Sequence, residues 1–433
     1  MGMLSSFVRL AFSKPMVTLK LINFQRVKNI LTVIIERPGN LKQLYQRYRS
    51  IYLTDASETI VTIEQCPSKC GDIVIFSVID WGFRYQRPQQ LASAFSQKGY
   101  RVFYIATTPL IAGNSSGYVV ESMPVKGVLV VQLASGSRRL PNLYLDSPSE
   151  AEIAATRQSL QSLFDNFNVE NPIAVVQHPY WSPTVMEIRW SRLTYDCMDH
   201  HAGFCNNTPD NLSKTEKELI VKCDVVVASS VALADEINKI RSCVLIRNGC
   251  EYIRFSTVPA RTDNVRPVIG YVGAIAAWFD MSLLLEVAQA SPQWDFILVG
   301  SAAGADIERA RGQPNIYFKG ELPYSVVPEM VASFDVCLIP FKITPLTLAT
   351  NPVKIYEYLA AGRPVVATPL PELTSLQEVD VFLAQTSEYF QKQIQRALYI
   401  AASPERIAVR KAWASENDWM SRANSFIAAL NAK

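Results

Sequence analysis

The chain has 433 residues, and this length predicts two or three domains. Hydrophobic residues make up 49% of the sequence and charged residues 19%, which excludes a disordered or collagen-like chain. The net charge is only +3, so the composition does not indicate a nucleic-acid-binding protein.

The first fifty residues differ from the rest in charge. They contain nine Lys or Arg residues but a single acidic residue, Glu36, and apolar residues separate the basic ones. This alternation is typical of a segment that lies on an anionic membrane surface, and equally of a solvated extension. Both interpretations stay open for a basic N-terminal extension over residues 1–70.

The sequence shows neither a membrane span nor a metal motif. No apolar stretch reaches the roughly 20 residues of a transmembrane helix, and no signal-peptide pattern precedes the first strand. Several of the eight cysteines lie in apolar runs, which is typical of free thiols in a reducing compartment. Cys66 and Cys70 lack zinc-site spacing, so no metal is expected. We expect a cytoplasmic protein, either soluble or peripheral at the inner face of the membrane.

From Asp72 onward, apolar runs rich in β-branched residues alternate with helical patterns. Such runs are typical of parallel strands buried on both faces. One helix is predicted over residues 87–98, and another is predicted to begin at Ser213, where Glu216 completes a capping-box pattern. The predicted strands of this first series are 72–79, 101–106, 128–133, 173–177, 193–196, 224–228 and 243–246.

A polar stretch at 247–266 separates a second series of the same kind. Its predicted strands are 268–272, 295–299, 315–318, 335–339, 364–368 and 380–384, and its predicted helices are 281–291, 325–333, 353–361 and 387–401. The alternation predicts an α/β fold of two facing, Rossmann-like, doubly wound sheets. The domains are then 71–250 and 267–402, with a helical segment, 403–433, that packs back on the first domain. Ligands of such sheets bind at the carboxyl ends of the strands.

The clearest motif is NPVKIYEYLAAGRPVVAT at residues 351–368. It predicts a loop, a helix that begins near Pro352 and ends at Gly362, and a buried strand. Lys354 and Glu357 share one face near the start of that helix. A helix N-terminus and a lysine suit a phosphate, and a glutamate suits a sugar diol. The alternative is an ion pair on a solvated helix face.

This motif resembles the donor-binding helix of GT-B fold glycosyltransferases, in the large retaining group that uses nucleotide-sugars. The similarity covers about residues 72–430. It implies that Glu357 holds the ribose hydroxyls and that Asn351 and Lys354 belong to the donor site. Many members carry a second, sugar-contacting glutamate eight positions earlier, where this chain has Ala349. The most similar subgroup reads N-P-x-K here, as this chain does.

Three further positions of the second series belong to the expected donor site. Gly273 ends a strand and allows the backbone to approach a pyrophosphate, although tight packing is an equal alternative. The resemblance implies that Gly300 lines the nucleotide pocket and that Phe341 lies beside the base and the sugar. Because the basic residues that many members carry after Gly273 are absent, Lys354 is expected to be the main cation for the phosphates.

The loop after the first strand is expected on the acceptor side of the crevice. It contains Trp81, Arg84 and Arg87 within a W-x-x-x-x-Q-R-P-Q stretch, which the same subgroup shares. The two arginines suit an anionic acceptor or a diphosphate. The alternative is a packed Trp81 with Arg87 paired across the surface.

The predicted catalytic residues follow two other strands of the first series. Asp199 matches the subgroup pattern best, in a loop that continues with His200 and His201, and His178 follows the preceding strand. Many members of the group have a functional histidine in this loop. Because histidine titrates near neutral pH, these side chains are candidates for proton handling.

The resemblance implies transfer of a sugar from a nucleotide-diphosphate sugar to a glycan or lipid-linked acceptor, in surface polysaccharide or glycolipid biosynthesis. It implies retention of anomeric configuration and no required cofactor or metal, and it leaves the base of the donor open. Two alternatives remain at this point. One is a catalytically silent GT-B scaffold or binding protein, for which Ala349 argues, and the other is a GT-B nucleotide-sugar epimerase.

Overall fold

The structure is a computed structural model that describes residues 68–110, 117–137, 140–204, 210–260, 264–302 and 307–432. The predicted membrane-contacting segment lies almost entirely outside these ranges. Among the described helices, none is long and apolar enough to cross a membrane.

The first sheet follows the order β3-β4-β2-β1-β5-β6-β7-β8. All of its neighbouring pairs are parallel except β3 and β4, which are antiparallel. Its strands are β1 (Asp72–Phe76), β2 (Arg101–Ile105), β3 (Tyr118–Val125), β4 (Val128–Leu133), β5 (Ile173–Val176), β6 (Arg192–Cys197), β7 (Val225–Ala228) and β8 (Val244–Leu245).

The second sheet follows the order β11-β10-β9-β12-β13-β14, and its paired strands are all parallel. Its strands are β9 (Val268–Val272), β10 (Asp295–Val299), β11 (Ile316–Gly320), β12 (Val336–Ile339), β13 (Val365–Ala367) and β14 (Val381–Leu383). In each sheet the chain order reverses beside the first strand, β1 or β9, and such switch points open a crevice at the carboxyl edge.

Helices connect the strands of both sheets. They are α1 (Arg87–Gln97), α2 (Glu150–Phe167), α3 (Ser182–Val185), α4 (Asp210–Lys222), α5 (Val231–Asn238), α6 (Tyr252–Ser256), α7 (Met281–Ala290), α8 (Glu308–Arg311), α9 (Val327–Ala332), α10 (Pro345–Leu348), α11 (Val353–Ala360), α12 (Ser387–Ala401), α13 (Pro404–Glu416) and α14 (Trp419–Asn431).

The central strands are apolar because both faces of each sheet are covered. In β1, Ile73 and Ile75 pack into one core and Val74 and Phe76 into another, and all four side chains are fully buried. Successive side chains of a strand point to opposite faces, so a strand with cores on both sides has no polar alternation.

Two sequence predictions differ from the structure. The strand β3 was not predicted, although YVVESMPV alternates between half-buried and exposed positions; its proline is tolerated because β3 is an edge strand. The predicted helix start at Ser213 is wrong, since α4 begins three residues earlier, at Asp210. Glu216 accepts a hydrogen bond from the buried Tyr195 hydroxyl (2.5 Å) and does not complete a cap.

The chain crosses between the sheets twice, and the two crossings touch. The backbone N–H of Trp419 donates to the carbonyl of Cys250 (3.1 Å). A Cβ on Gly249 would lie 2.8 Å from the carbonyl oxygen of Asn417, so the close approach needs glycine there. Beyond this point α14 lies on α1, with the rings of Phe95 and Phe426 5.3 Å apart.

The carboxyl edges of the two sheets face each other and are in contact. The Gln90 amide donates to the Tyr324 hydroxyl (3.1 Å), and the Ser230 hydroxyl donates to the carbonyl of Ala349 (2.6 Å). The predicted crevice therefore lies between two edges that are already close together.

Candidate functional site

Lys354 lies in the first turn of α11, half-buried against the loop after β9. Its Nζ is 5.5 Å from the ring centre of Tyr271 and 5.8 Å from that of Phe341. Burial lowers the pKa of Lys354, the carboxylate of Glu357 opposes that shift, and the positive charge of Arg84 adds to it. Within the described part of the chain this ammonium has no hydrogen-bond partner, so it is available to an anion.

Glu357 lies one turn further along α11 and is 8% exposed, which removes the alternative of a solvated ion-pair face. Its Oε1 accepts a hydrogen bond from the Tyr324 hydroxyl (3.2 Å). Burial raises the pKa of Glu357, while Lys354 and the Tyr324 hydrogen bond lower it. A buried carboxylate that retains acceptor capacity suits a pair of neighbouring hydroxyl groups.

Gly273 and Gly300 follow β9 and β10 and lie against each other. Their φ angles are +150° and +141°, in a region that favours glycine. A Cβ on Gly273 would meet the Lys354 Cε at 2.1 Å, and a Cβ on Gly300 would lie 1.8 Å from the Gly273 carbonyl oxygen. The two glycines therefore hold bare backbone beside the ammonium of Lys354.

Phe341 and Asn351 are buried and contact other parts of the protein. Phe341 is 4% exposed, and its ring lies next to the ammonium of Lys354. The Asn351 Oδ1 accepts from the Asn248 N–H (2.9 Å) and the Tyr356 hydroxyl (3.1 Å), and its Nδ2 donates to Glu372 (2.7 Å). Asn351 thus joins the domain linker to α11 and to Glu372, and its contact with the donor stays a prediction.

The substitution at position 349 has a structural counterpart. Ala349 is 7% exposed and belongs to the hydrophobic core of the first sheet, although it lies in the second series. Its carbonyl accepts the Ser230 hydroxyl bond described above. A small side chain here therefore allows the loop before α11 to dock on the first domain.

Arg84 reaches across the crevice, but Arg87 does not. The Arg84 Nε donates to Glu321 Oε1 (3.0 Å) beyond β11, and the charge of Arg84 acts on Lys354. The predicted ligand role of Arg87 does not fit the structure: its guanidinium is 1% exposed and donates to Asp196 through Nε (3.1 Å) and Nη2 (2.7 Å). Its Nη1 donates to the Ile246 carbonyl (3.0 Å), so Arg87 anchors the linker from inside.

Trp81 lies half-buried in the same loop as Arg84. Its ring packs edge-on against Tyr85 (5.8 Å) and Tyr104 (5.1 Å), and its carbonyl accepts from the Gln89 amide (3.2 Å). These contacts fix the shape of the loop that presents Arg84.

Asp199 follows β6 and is half-buried at the edge of the first sheet. Burial raises the pKa of Asp199 to about 7, the charge of Arg87 lowers it and that of Asp196 raises it. A carboxyl group that titrates near neutral pH is suited to accept a proton from a hydroxyl.

The three histidines of the chain form one cluster beside Asp199. The rings of His178 and His201 are 4.6 Å apart, and burial lowers the pKa of His178 well below its usual range and that of His201 to about 3. His178 is completely buried under Tyr144 (4.8 Å), so it does not reach the crevice directly. His200 is half-buried and closer to the opposite domain, next to Gly203 and Leu346.

The described residues contain no group of three or more His, Cys, Asp or Glu side chains that could hold a metal ion. Sequence reasoning missed Tyr324, Glu321 and Tyr144, each of which touches a predicted site residue. Tyr324 and Glu321 follow β11, so their place at the carboxyl edge was a signal that could have been used. Tyr144 lies in a loop without a recognisable pattern.

This geometry can be compared with known proteins. Residues 266–399 match the sequence family described as Glycosyl transferases group 1. The putative teichuronic acid biosynthesis glycosyltransferase TuaH of Bacillus subtilis is 29% identical over 346 residues, which cover 71% of this chain and 83% of that protein.

Solved structures share the fold at low sequence identity. Sucrose-phosphate synthase from Thermosynechococcus elongatus aligns with a TM-score of 0.65 and 16% identity, over 83% of this chain and 98% of that one. A variant of S. aureus TarM, solved in complex with UDP among other ligands, aligns with a TM-score of 0.59 and 11% identity, over 84% of this chain and 100% of that one.

Proposed function

We propose that the chain is a glycosyltransferase that transfers a sugar from a nucleotide-diphosphate sugar to a glycan or lipid-linked acceptor, as the GT-B fold and the similarities support. Surface polysaccharide assembly is the setting that the similarity to TuaH supports. One observation carries the donor assignment: Lys354, Glu357 and the bare backbone of Gly273 meet at one point of the crevice.

On the donor side, each of these groups binds a different part of the nucleotide-sugar. Glu357, with Tyr324 beside it, accepts hydrogen bonds from the two ribose hydroxyls. Lys354 and Arg84 take the diphosphate, with Gly273 and Gly300 leaving room for its oxygens. Two cations beside bare backbone stabilise the charge that develops on the leaving diphosphate, which lowers the barrier to transfer.

The acceptor side is assigned to Asp199, with His200 beside it. The acceptor oxygen forms the new bond to the anomeric carbon while the bond from that carbon to the phosphate oxygen breaks. Asp199 takes the hydroxyl proton, for which a pKa of about 7 is suited. His178 acts as a positioning residue, because it is buried behind Tyr144.

Two finer points belong to the same proposal. Transfer retains the anomeric configuration. The proton NMR spectrum of the first product checks this, and an anomeric signal of the inverted configuration contradicts it.

The protein works at the cytoplasmic face of the membrane through the basic residues 1–70. Sedimentation with anionic vesicles that increases at low salt supports this, and equal sedimentation with neutral vesicles contradicts it.

The alternatives from the sequence are not favoured. A silent binding protein was suggested by Ala349, but Ala349 packs into the other domain and leaves Lys354 and Glu357 in place. An epimerase is not supported by the similarities, which name transferases or synthases.

A thermal-shift panel of nucleotides and nucleotide-sugars tests the donor site. A ligand at about one hundred times its dissociation constant stabilises a protein by about 2.7 kcal/mol, which is readily measured. We expect one class of nucleoside diphosphate to raise the melting temperature of the wild type, and Glu357→Ala to abolish that rise. The matched control is Glu286→Ala, an exposed helical glutamate of the same domain. No rise with any nucleotide, or an undiminished rise in Glu357→Ala, contradicts the donor assignment.

A further inference from the structure

Tyr324, which is half-buried after β11, connects the carboxylate of Glu357 to the first domain. Its hydroxyl donates to Glu357 Oε1 (3.2 Å) and accepts a hydrogen bond from the amide of Gln90 (3.1 Å). Gln90 lies in α1 of the first domain and is only 4% exposed. Two hydrogen bonds in series therefore run from the first domain, across the crevice, to the carboxylate that we assign to the ribose.

A second carboxylate sets the direction of these hydrogen bonds. The Gln90 Nε2 also donates to Glu251 Oε2 in the linker (3.3 Å). Because a carboxylate only accepts hydrogen bonds, this contact fixes which end of the Gln90 amide faces Tyr324. The amide nitrogen only donates, so the hydrogen of the Tyr324 hydroxyl is directed to Glu357. Without Gln90, the hydroxyl is free to turn toward Glu251 instead.

The ring of Tyr324 is held by residues outside its own domain. It stacks on the ring of Tyr85 in the first domain, with 5.1 Å between the ring centres and 29° between the planes. The guanidinium of Arg254, in α6 between the two sheets, lies 5.3 Å from the ring centre. Burial raises the pKa of the Tyr324 hydroxyl well above its usual value, and the charges of Glu357 and Glu251 add to that shift. The hydroxyl is therefore a protonated donor in a fixed position.

We infer that Tyr324 and Gln90 are positioning residues for the donor: Gln90 orients the Tyr324 hydroxyl, and Tyr324 holds the Glu357 carboxylate in the orientation that accepts the two ribose hydroxyls. The inference rests on the proposed function and extends it, because donor binding on the second domain then depends on a side chain of the first. Neither residue lies in the motif at 351–368.

The flexibility of a glutamate explains why such positioning matters. The last torsion of the side chain is soft, so hydrogen-bond partners set the plane of the carboxylate. The Tyr324 hydroxyl contacts Oε1, and each carboxylate oxygen accepts more than one hydrogen bond, so capacity for two ribose hydroxyls is left. A carboxylate that is already oriented loses less side-chain freedom when the nucleotide binds, which strengthens binding.

Tyr324 also favours the charged form of Glu357. Burial raises the pKa of Glu357 to about 7 and the negative charge of Glu251 adds to that shift, while the positive charge of Lys354 and the Tyr324 hydrogen bond oppose it. Only the ionised carboxylate is free to accept hydrogen bonds at both oxygens. Loss of the Tyr324 hydroxyl should therefore raise the pKa of Glu357 further, so that ribose binding is lost at a higher pH.

Calorimetric titration of the full-length protein tests the inference. The probes are UDP, ADP and GDP, and then the bare nucleoside of the diphosphate that binds. Tyr324→Phe keeps the ring and removes the hydroxyl, and Gln90→Leu removes the amide. Each variant should bind the diphosphate and the nucleoside about fivefold more weakly, by the same factor for both ligands. The double variant should bind no more weakly than Tyr324→Phe, because Gln90 acts through the hydroxyl.

The pH dependence of nucleoside binding is the readout that a merely structural role would not change. Affinity should fall as the pH drops through the pKa of Glu357, and the midpoint of this fall should lie at a higher pH in Tyr324→Phe than in the wild type. The matched controls are Tyr317→Phe, 43% exposed on β11, and Gln97→Leu, at an exposed position of α1. Both controls should keep the affinity and the midpoint of the wild type.

Three results overturn the inference: both single variants bind as the wild type does, the losses of the two variants multiply in the double variant, or the midpoint of Tyr324→Phe does not move. If Gln90→Leu fails to fold, the affinity and the midpoint of Tyr324→Phe decide. If binding depends on Glu357 but not on Tyr324, the donor assignment stands and only this inference is wrong. If no nucleotide binds the wild type, the donor assignment is wrong and this inference is wrong as well.

Discussion

Lys354 and Glu357 carry opposite charges one helical turn apart, yet they do not form a close ion pair. Glu357 is buried and Lys354 is half-buried, and loss of water contact moves both pKa values toward the neutral form. Charged groups held out of water without full pairing reduce the stability of a protein, and they are concentrated at functional sites. Their cost is recovered when a ligand supplies the missing partners.

A substitution at Lys354 separates phosphate binding from nucleoside binding. Lys354→Met keeps a long, flexible side chain beside the rings of Tyr271 and Phe341 but removes the charge. We expect affinity for the nucleoside diphosphate to fall about tenfold or more, and affinity for the bare nucleoside to stay nearly the same. Calorimetric titration of both ligands checks this. An equal loss for both places the phosphates elsewhere.

The raised pKa of Asp199 predicts that its contribution to the stability of the protein depends on pH. Burial raises its pKa to about 7, above its value in the unfolded chain. Its contribution to the free energy of unfolding is therefore fully present below about pH 4 and is lost as the pH rises to about 7. Asp199→Asn should raise the melting temperature more at about pH 8 than at about pH 5, while transfer activity falls.

Thermal denaturation at both pH values measures this difference, and the exposed Asp235→Asn is the control. An equal change in melting temperature at the two pH values would show that Asp199 ionises normally.

Arg84 and Arg87 are three residues apart, and the structure gives them opposite roles. Arg87→Met leaves the buried Asp196 without its main partner and should cost about 3–5 kcal/mol of stability. Arg84→Met breaks a solvent-accessible pair with Glu321 and should cost at most about 1 kcal/mol, yet weaken nucleoside diphosphate binding. Chemical denaturation and nucleotide titration of both variants compare them. Similar stability losses would contradict the assignment.

The sequence points to the loops of the proposed site but does not decide which side chain of a loop is free to bind a ligand. Arg84 and Arg87 belong to one motif, and Asn351 and Lys354 belong to another. In each pair one residue is used by the protein itself, through Asp196 or Glu372. Those partners come from distant parts of the chain, so no local pattern could identify them.

At the scale of elements, alanine substitutions at three glycines are expected to have three different effects on stability and nucleotide binding. Gly300→Ala would place a Cβ against the backbone of Gly273 and should cost several kcal/mol, of which the strained φ accounts for about 1–3 kcal/mol. Gly273→Ala carries the same strain of about 1–3 kcal/mol at a positive φ, but its Cβ would meet mainly a flexible lysine side chain, so it should cost less stability than Gly300→Ala and also weaken nucleoside diphosphate binding. Gly82→Ala has open space around it and should change neither property.

Melting temperatures and nucleotide affinities of the three variants check this order. A Gly300→Ala protein as stable as the wild type would mean that the two loops do not touch.

The elements that the sequence predicted best are those that local chemistry determines. A strand buried on both faces, such as Ile73 to Phe76, needs an apolar run, and that run is visible in the sequence. The edge strand β3 is defined by its antiparallel partner β4, and the start of α4 lies outside the pattern at Ser213. The start of α4 depends on contacts outside that pattern, whereas the alternation of β3 was a signal that could have been used.

At the scale of the whole molecule, the two domains are joined by a buried polar network around the linker. Glu372 accepts hydrogen bonds from Arg247 and Asn351 (both 2.7 Å) and from the backbone N–H of Val231 (2.7 Å). Its residues belong to both domains and to the linker. The network therefore holds α11 close to the first domain, and the proposed transfer between two bound substrates needs such a fixed arrangement.

The measurement that tests the central claim most directly follows both products of the reaction. Nucleotide-sugars are incubated with the full-length protein and a pool of glycans and lipid-linked glycans. We then measure the released nucleoside diphosphate and the sugar that becomes attached to an acceptor. Glu357→Gln is compared with Glu286→Gln as its control.

We predict that one class of donor is consumed, that nucleoside diphosphate and glycosylated acceptor form in equal amounts, and that Glu357→Gln abolishes both. Isomerisation of the nucleotide-sugar without release of nucleoside diphosphate would contradict transfer and indicate an epimerase. Donor binding without any turnover would contradict it as well, and would indicate a binding protein.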